Sequence, residues 1–245
     1  LRNKKNVVTA NKALISKYGD KLSMIAEKNK VNLEFEAAVC GGVPIIRSIK
    51  EGLIANKINR IYGILNGTSN YVLSSMEINK TSFSQTINKA IKLGYAESNP
   101  SSDINGDDVA SKVKILSCLS FNSFINKNIH VEGIKDVDEE DINIANKLGY
   151  KIKLMGFSEI LNNKIFQRVH PTLVKKSSYI AGVNGVLNAV IVEGNPIGKN
   201  IIQGEGAGPS ATTSALVSDI SSILRGNIKF PFAISNKKRK KYSSG

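Results

Sequence analysis

The sequence predicts an α/β segment followed by a larger α+β unit: the tail of a Rossmann-type nucleotide-binding domain, then a catalytic and dimerisation domain on a mixed or antiparallel sheet. Three observations carry this. Strand-like and helical periodicities alternate over residues 1–39, later strand-like runs come in blocks set apart from helical blocks, and glycine and proline mark the boundaries.

Val7 and Val8 read as a strand end, and Thr9 and Ala10 as the turn after it. From Lys12 to Lys30 the apolar residues Leu14, Ile15, Tyr18, Leu22 and Ile25 fall on one side of a helix, and Val31 to Val39 then reads as a strand. Strand, helix, strand is the order of a parallel α/β unit. No GxGxxG follows a strand, so the phosphate-binding half of such a domain is expected upstream of Leu1. Gly41, Gly42 and Pro44 open a new unit, with a helix expected over Ile45 to Ala55 and a strand over Ile58 to Leu65.

Asn66, Gly67 and Thr68 break that strand before a helix at Tyr71 to Met76. Further helices are expected at Ser84 to Lys92, Asp107 to Leu119 and Glu139 to Leu148. A short segment follows at Ile129 to Val131, and strands are expected at Lys151 to Ser158, Lys164 to Leu173 and Leu187 to Glu193. The run GEGAG, Gly204 to Gly208, opens a small-residue helix through Ala211, Ser214, Ala215 and Val217 toward Leu224. Glycines there can admit a phosphate or flat ring, or simply make a packing turn. After Pro231 the basic SNKKRKKYSSG lacks apolar periodicity and reads as a linker. The expected division is 1–38 for the nucleotide-side segment, 39–200 for the catalytic domain, 201–228 for a returning helix and 229–245 for the linker.

With 245 residues and 41% apolar content the chain can bury a large core. The chain has no uninterrupted apolar run of about eighteen residues and no apolar secretory core near Leu1, so a cytoplasmic protein with no membrane partner is expected. Cys40 and Cys118 each lie in apolar sequence and read as reduced, buried thiols. Of the net +14 charge, five units sit in Lys237, Lys238, Arg239, Lys240 and Lys241. Elsewhere lysines are scattered without aromatic interleaving, which argues against a nucleic-acid partner.

The chemistry concentrates between Ala90 and Lys112, AIKLGYAESNPSSDINGDDVASK. Asp108 and Lys112, four apart, project from one face of a helix beside the loop that carries Glu97 and Asp103. Such a pair alone is an ordinary surface ion pair. The Gly, Pro and Asn punctuation in front of it exceeds what capping a helix requires. Lys12 opens the first helix, where a cation opposes the macrodipole unless it faces an anion or a reacting group. Glu36, in apolar sequence, must be paired, hydrogen-bonded or bound to a cation. His130 and His170 lack metal-ligand spacing.

The set Ala90, Gly94, Tyr95, Ala96, Asn99, Pro100, Asp103, Ile104, Gly106, Asp108 and Lys112 resembles the signature of homoserine dehydrogenases, with each position filled. The resemblance implies hydride exchange between NADP or NAD and an amino-acid substrate, homoserine or aspartate semialdehyde, in threonine and methionine biosynthesis. It implies Lys112 as proton donor, with Lys12 sharing that work and touching cofactor and substrate. A lysine serves best there when desolvation lowers its pKa, which Asp108 opposes. Glu97, Asp108 and Thr68 would contact substrate; Asp103 would do so or brace the loop. Thr9, Ala10, Gly94, Gly206 and Gly208 would line the cofactor, although the family's usual proline in the glycine run is Ala211 here. Glu36 with the carbonyls of Val39, Gly41 and Val43 would hold a structural sodium ion. A homodimer or homotetramer through the sheet domain is implied. The second reading is a non-catalytic substrate-binding and dimerisation fragment, because the dinucleotide fingerprint is absent.

Overall fold

The structure is a computed structural model that describes residues 1–124, 129–226, 230–240 and 242–245. Strand β1 (Val7–Val8), helix α1 (Lys12–Asn29) and strand β2 (Leu33–Glu34) make a two-stranded parallel unit, with Val7 opposite Leu33. Asn11 caps α1 by accepting from Leu14 N at 2.9 Å, and Lys30 ends it in the left-handed conformation. The strand expected over Val31 to Val39 stops at Glu34, and Glu36–Ala38 is a 3-10 turn. The cause is polar: Glu36 N donates to Asp219 Oδ2 at 2.9 Å and the Glu36 carboxylate turns toward the next helix, so the chain leaves the sheet. That helix, α2 (Ile45–Arg47), passes into a π turn over Ser48–Gly52 and ends before the expected Ala55.

A second sheet forms the body. Strands β3 (Lys57–Ile64), β4 (His130–Val131), β5 (Tyr150–Leu161), β6 (Lys164–Lys175), β7 (Leu187–Asn195) and β8 (Gly198–Glu205) lie in the order β4-β6-β5-β3-β7-β8. The central pairs are antiparallel; β4 adds to β6 in parallel. Strand β8 is absent from the expected set. Its residues alternate between exposed and half-buried at the sheet edge, so GKNIIQGE carries little apolar signal.

Helices α3 (Gly67–Asn79), α4 (Phe83–Lys92), α5 (Ser101–Ile104), α6 (Asp107–Phe121) and α7 (Glu139–Lys147) complete this unit. Alternation on the strands sends Ile61, Val169, Val190 and Val192 into the main core with Val109, Val113 and Leu116 of α6. Gly156 sets how close α6 approaches: a Cβ there would meet Val113 Cγ2 at 2.5 Å and Val109 Cγ1 at 2.8 Å. The opposite face gathers Ile64, Met155, Phe157, Ala189 and Ile191, partly covered by the 3-10 segment Tyr179–Gly182.

Helix α8 (Pro209–Leu224) returns to the end of the first unit, where its Asp219 accepts from Glu36 N at 2.9 Å and also pairs with Arg47 of α2 at 3.1 Å. The segment after Pro231 is packed rather than a free linker. Phe232 is buried against Phe35 and Phe124, Asn236 Nδ2 donates to Glu27 at 2.6 Å, and Arg239 lies 4.3 Å over the Phe124 ring while pairing with Asp20. Strand β9 (Ser243–Ser244) then joins β6. The polar run hides this because it is anchored by single side chains, Phe232, Asn236 and Arg239, rather than by a periodic apolar face. Lys241 of the basic run lies outside the described residues. Among the described residues, no helix is long and apolar enough to cross a membrane.

Candidate active site

The site forms where the N-termini of α1, α3 and α6 meet. Asp108, in the first turn of α6, is 2% exposed, and Lys112, one turn later, is 7% exposed. The Lys112 Nζ lies 2.9 Å from Asp108 Oδ2 and donates to the Leu65 carbonyl at 2.6 Å. Lys12, whose side chain is 43% exposed, reaches Asp108 Oδ1 at 2.5 Å from the first turn of α1. One buried carboxylate therefore organises two lysines from separate units, and the anion that a lysine at a helix start requires is Asp108.

The charge states follow from this geometry. Burial pushes Asp108 toward its neutral form, but the Lys112 and Lys12 ammonium groups outweigh it and hold the carboxyl well below the usual carboxylate range. For Lys112, burial alone would lower the pKa; Asp108 reverses this and holds the ammonium above the ordinary lysine value. Asp108 thus wins the contest with desolvation. Asp103 is raised, chiefly by burial, with donation from Asn66 opposing it.

Asn66 caps α3 by accepting from Ser69 N at 2.7 Å. Its Nδ2 donates to Asp103 Oδ1 at 2.7 Å and to Asp108 Oδ2 at 2.8 Å. Thr68, one turn-position on, donates to the Tyr95 carbonyl at 2.6 Å, and the Tyr95 ring packs 4.9 Å from that of Tyr71. The α3 N-terminus thereby holds both ends of the acidic loop.

Residues 44–221 match the family model described as homoserine dehydrogenase. The chain belongs to the homoserine dehydrogenase family. A homoserine dehydrogenase of Neisseria gonorrhoeae is 45% identical over 226 residues, which cover 92% of this chain and 52% of that relative. The crystal structure of a homoserine dehydrogenase from Thiobacillus denitrificans has a TM-score of 0.90 at 41% identity, covering 95% of this chain and 57% of that one. A hyperthermophilic archaeal homoserine dehydrogenase solved in complex with NADPH has a TM-score of 0.79 at 28% identity, covering 93% of this chain and 66% of that one. The chain spans about half the length of the curated relatives it matches.

Among the residues that family resemblance implies, the structure brings Lys12, Asp103, Asp108 and Lys112 into one hydrogen-bonded cluster. Glu97 stands apart. It is exposed in the loop after α4 and makes no hydrogen bond or ion pair among the described residues. Gly94 is exposed in a left-handed turn just before it. Thr9 accepts from Asn11 N at 3.1 Å, so Thr9 and Ala10 form the turn that delivers Lys12. Gly206 lies on Asn188, where a Cβ would meet the amide at 2.0 Å, and its carbonyl accepts from Gly41 N at 3.1 Å. Gly208 precedes α8 without supplying a side-chain cap.

The Glu36 carboxylate caps α2: its oxygens accept from Ile46 N at 2.9 Å and Arg47 N at 2.8 Å, while burial pushes its pKa up to about 7. It fits a helix cap rather than a cation ligand. The Val43 carbonyl accepts from Ile45 N at 2.7 Å. Buried Val39 and Gly41 have carbonyls that accept no hydrogen bond among the described residues. Those two carbonyls fit a hard cation.

Sequence reasoning assigned no role to Asn66, the Leu65 carbonyl or Asn188. Only Asn66 left a signal, as an N-cap residue before a helical run.

Proposed function

We propose that this chain carries the substrate-binding and proton-transfer part of a homoserine dehydrogenase, which interconverts L-homoserine and L-aspartate 4-semialdehyde in a cytoplasmic enzyme of threonine and methionine biosynthesis. The observation that carries the reading is the buried Lys112 ammonium, held between Asp108 Oδ2 at 2.9 Å and the Leu65 carbonyl at 2.6 Å. A cation so placed stabilises the charge that grows on a carbonyl oxygen and delivers a proton to it. Lys112 gives this proton to the semialdehyde oxygen during reduction and takes it back from the homoserine hydroxyl during oxidation. Lys12, the more exposed partner on Asp108, connects this proton to solvent.

A bound NADP or NAD supplies or accepts the hydride. Thr9, Ala10, Lys12 and Gly94 would line it, and the α8 N-terminus with Gly206 and Gly208 would receive its phosphates, since Gly208 offers no side chain to compete for the helix N–H groups. Asp108, Glu97 and Thr68 are the substrate contacts of this reading, with Glu97 reaching the substrate from its exposed loop. A structural sodium ion would rest on the carbonyls of Val39 and Gly41, away from proton transfer. The enzyme acts as a homodimer or a homotetramer through the main sheet.

A second reading, a substrate-binding and dimerisation unit without turnover, is favoured by the nucleotide-side sheet having two strands among the described residues. Titration with NADP and NAD separates the two. The function is tested by homoserine-dependent reduction of NADP or NAD, with Lys112→Ala as control. The variant is expected to lose roughly 100- to 10,000-fold in kcat, the range for a positioned acid. A Lys112→Ala protein with full activity overturns the role of Lys112.

A further inference from the structure

Asn66 is 5% exposed, and the proton-transfer chemistry does not use it. Its orientation is fixed from behind. Oδ1 accepts from Ser69 N at 2.7 Å, so Nδ2 must point forward, where its two hydrogens meet Asp103 Oδ1 at 2.7 Å and Asp108 Oδ2 at 2.8 Å. Turned over, the amide would aim an oxygen at two carboxylates and leave the helix end without its acceptor. We propose that Asn66 is a positioning residue that clamps Asp103 and Asp108 together as a paired receptor for the α-ammonium of the amino-acid substrate. This rests on the proposed homoserine dehydrogenase function and deepens it.

The charge balance shows why a clamp is needed. Asp108 already faces two ammonium groups, Lys112 on its own helix and Lys12 from α1, so its negative charge is largely matched before substrate arrives. Asp103 has no ion-pair partner among the described residues. Facing it are Asn66 and Thr68 from α3 and Asp108 and Lys112 from α6. It is therefore the carboxylate with charge to spare for an incoming ammonium, and also the one that burial and Asp108 drive toward protonation. The Asn66 donors oppose that drive, favouring the ionised form beside a like charge. Geometry supports the same division: Asp103 is on α5 and Asp108 on α6, and the amide of the α3 cap ties these two helices to each other.

Two variants of the full chain test this. Asn66→Asp and Asn66→Ser both keep a good N-cap acceptor and lose the amide donors. Each is expected to fold, to raise the KM for homoserine roughly 10- to 100-fold with kcat within a few-fold, and to move the acid limb of the kcat/KM profile to higher pH. Unchanged KM and acid limb in both variants overturn the clamp. An equal fall in kcat and kcat/KM with the limb in place also overturns it, as a structural role would give that result. Carbon NMR titration of the Asp103 carboxyl provides a readout independent of turnover. Its pKa should be higher in Asn66→Ser than in the parent chain; an unmoved value overturns the clamp. A parent chain that titrates as expected and yet oxidises no homoserine removes the proposed function, and leaves Asn66 as the positioning residue of this carboxylate pair.

Discussion

Lys112, Lys12 and Asn66 share the two oxygens of Asp108; Lys112 and Asn66 are buried with it, and Lys12 is the most exposed member of the set. The pH behaviour follows. For Lys112, desolvation favours the neutral amine and Asp108 favours the ammonium; the carboxylate prevails, so the folded-state pKa is raised. The stability from this pairing is fully present below the unfolded lysine value of about 10.4 and is lost as pH rises through the folded value. For Asp108 the folded value is depressed, so its contribution is present above about 4 and lost as pH falls through that lower value. Neither group titrates between these limits, so the proposed acid, Lys112, keeps its proton across the neutral range. Replacing the carboxylate by an amide should reverse the balance, since burial remains and the opposing charge is gone. In Asp108→Asn, the alkaline limb of semialdehyde reduction is expected to move to lower pH, toward or below the ordinary lysine value. A kcat/KM profile over pH 6 to about 11 measures it, and a limb that stays in place would show that another group sets it.

At the scale of the element, α6 is the carrier of Asp108 and Lys112, and its distance from the sheet is fixed at Gly156 of β5. A Cβ at that position would lie 2.5 Å from Val113 Cγ2 and 2.8 Å from Val109 Cγ1. Overpacking of this kind costs about 1–3 kcal/mol when the backbone must move. Gly156→Ala should therefore lower stability by about that amount and reduce kcat/KM, as α6 carries the proposed acid, Lys112, with it. Adding Val113→Ala should restore much of both, and denaturant unfolding with steady-state kinetics on the single and double variants measures this. Strict additivity of the two changes would separate the effects and defeat the explanation. The sequence made α6 itself legible through Val109, Val113, Leu116 and Leu119, and the Asp108 and Lys112 pair through their four-residue spacing. Its distance from the sheet was not legible, because the glycine that sets it lies 43 residues beyond Val113 on another strand. Lys12 pairing with Asp108 across 96 residues was hidden for the same reason. The packed tail escaped notice because Phe232 and Arg239 are single anchors without periodicity, and β8 because half its residues face outward.

For the whole molecule, the main sheet has one face covered by α3 and α6 and another covered only in part, by the 3-10 segment Tyr179–Gly182. Across that second face the strand register aligns Arg168, Phe157, Tyr62, Ile191 and Ile201 in a row, of which Phe157 and Ile191 are buried and Ile201 is exposed. Tyr179, 86% exposed on the 3-10 segment beside it, shares a groove of about 370 Å³ with Tyr62, Phe157 and Ile201. Charges of both signs surround this apolar row: Arg60 with Glu159 at 3.5 Å, Arg168 with Glu159 at 3.3 Å and Lys199 with Glu193 at 3.1 Å. Charges of both signs around an apolar strip suit pairing with an identical strip through a two-fold axis, where each sign can meet its opposite. A second copy of this chain is accordingly the occupant expected, and contact would remove from water the apolar surface that Tyr179 and Ile201 still expose, at about 25 cal/mol per Å². A carboxylate placed among them must be desolvated for the pair to form. Tyr179→Asp and Ile201→Asp should each raise the dimer dissociation constant roughly 30-fold or more, the effect of losing an interface anchor. Light scattering behind size exclusion, across a dilution series, reads the mass directly; two variants that remain dimeric at the parent's concentrations would assign assembly to a different surface.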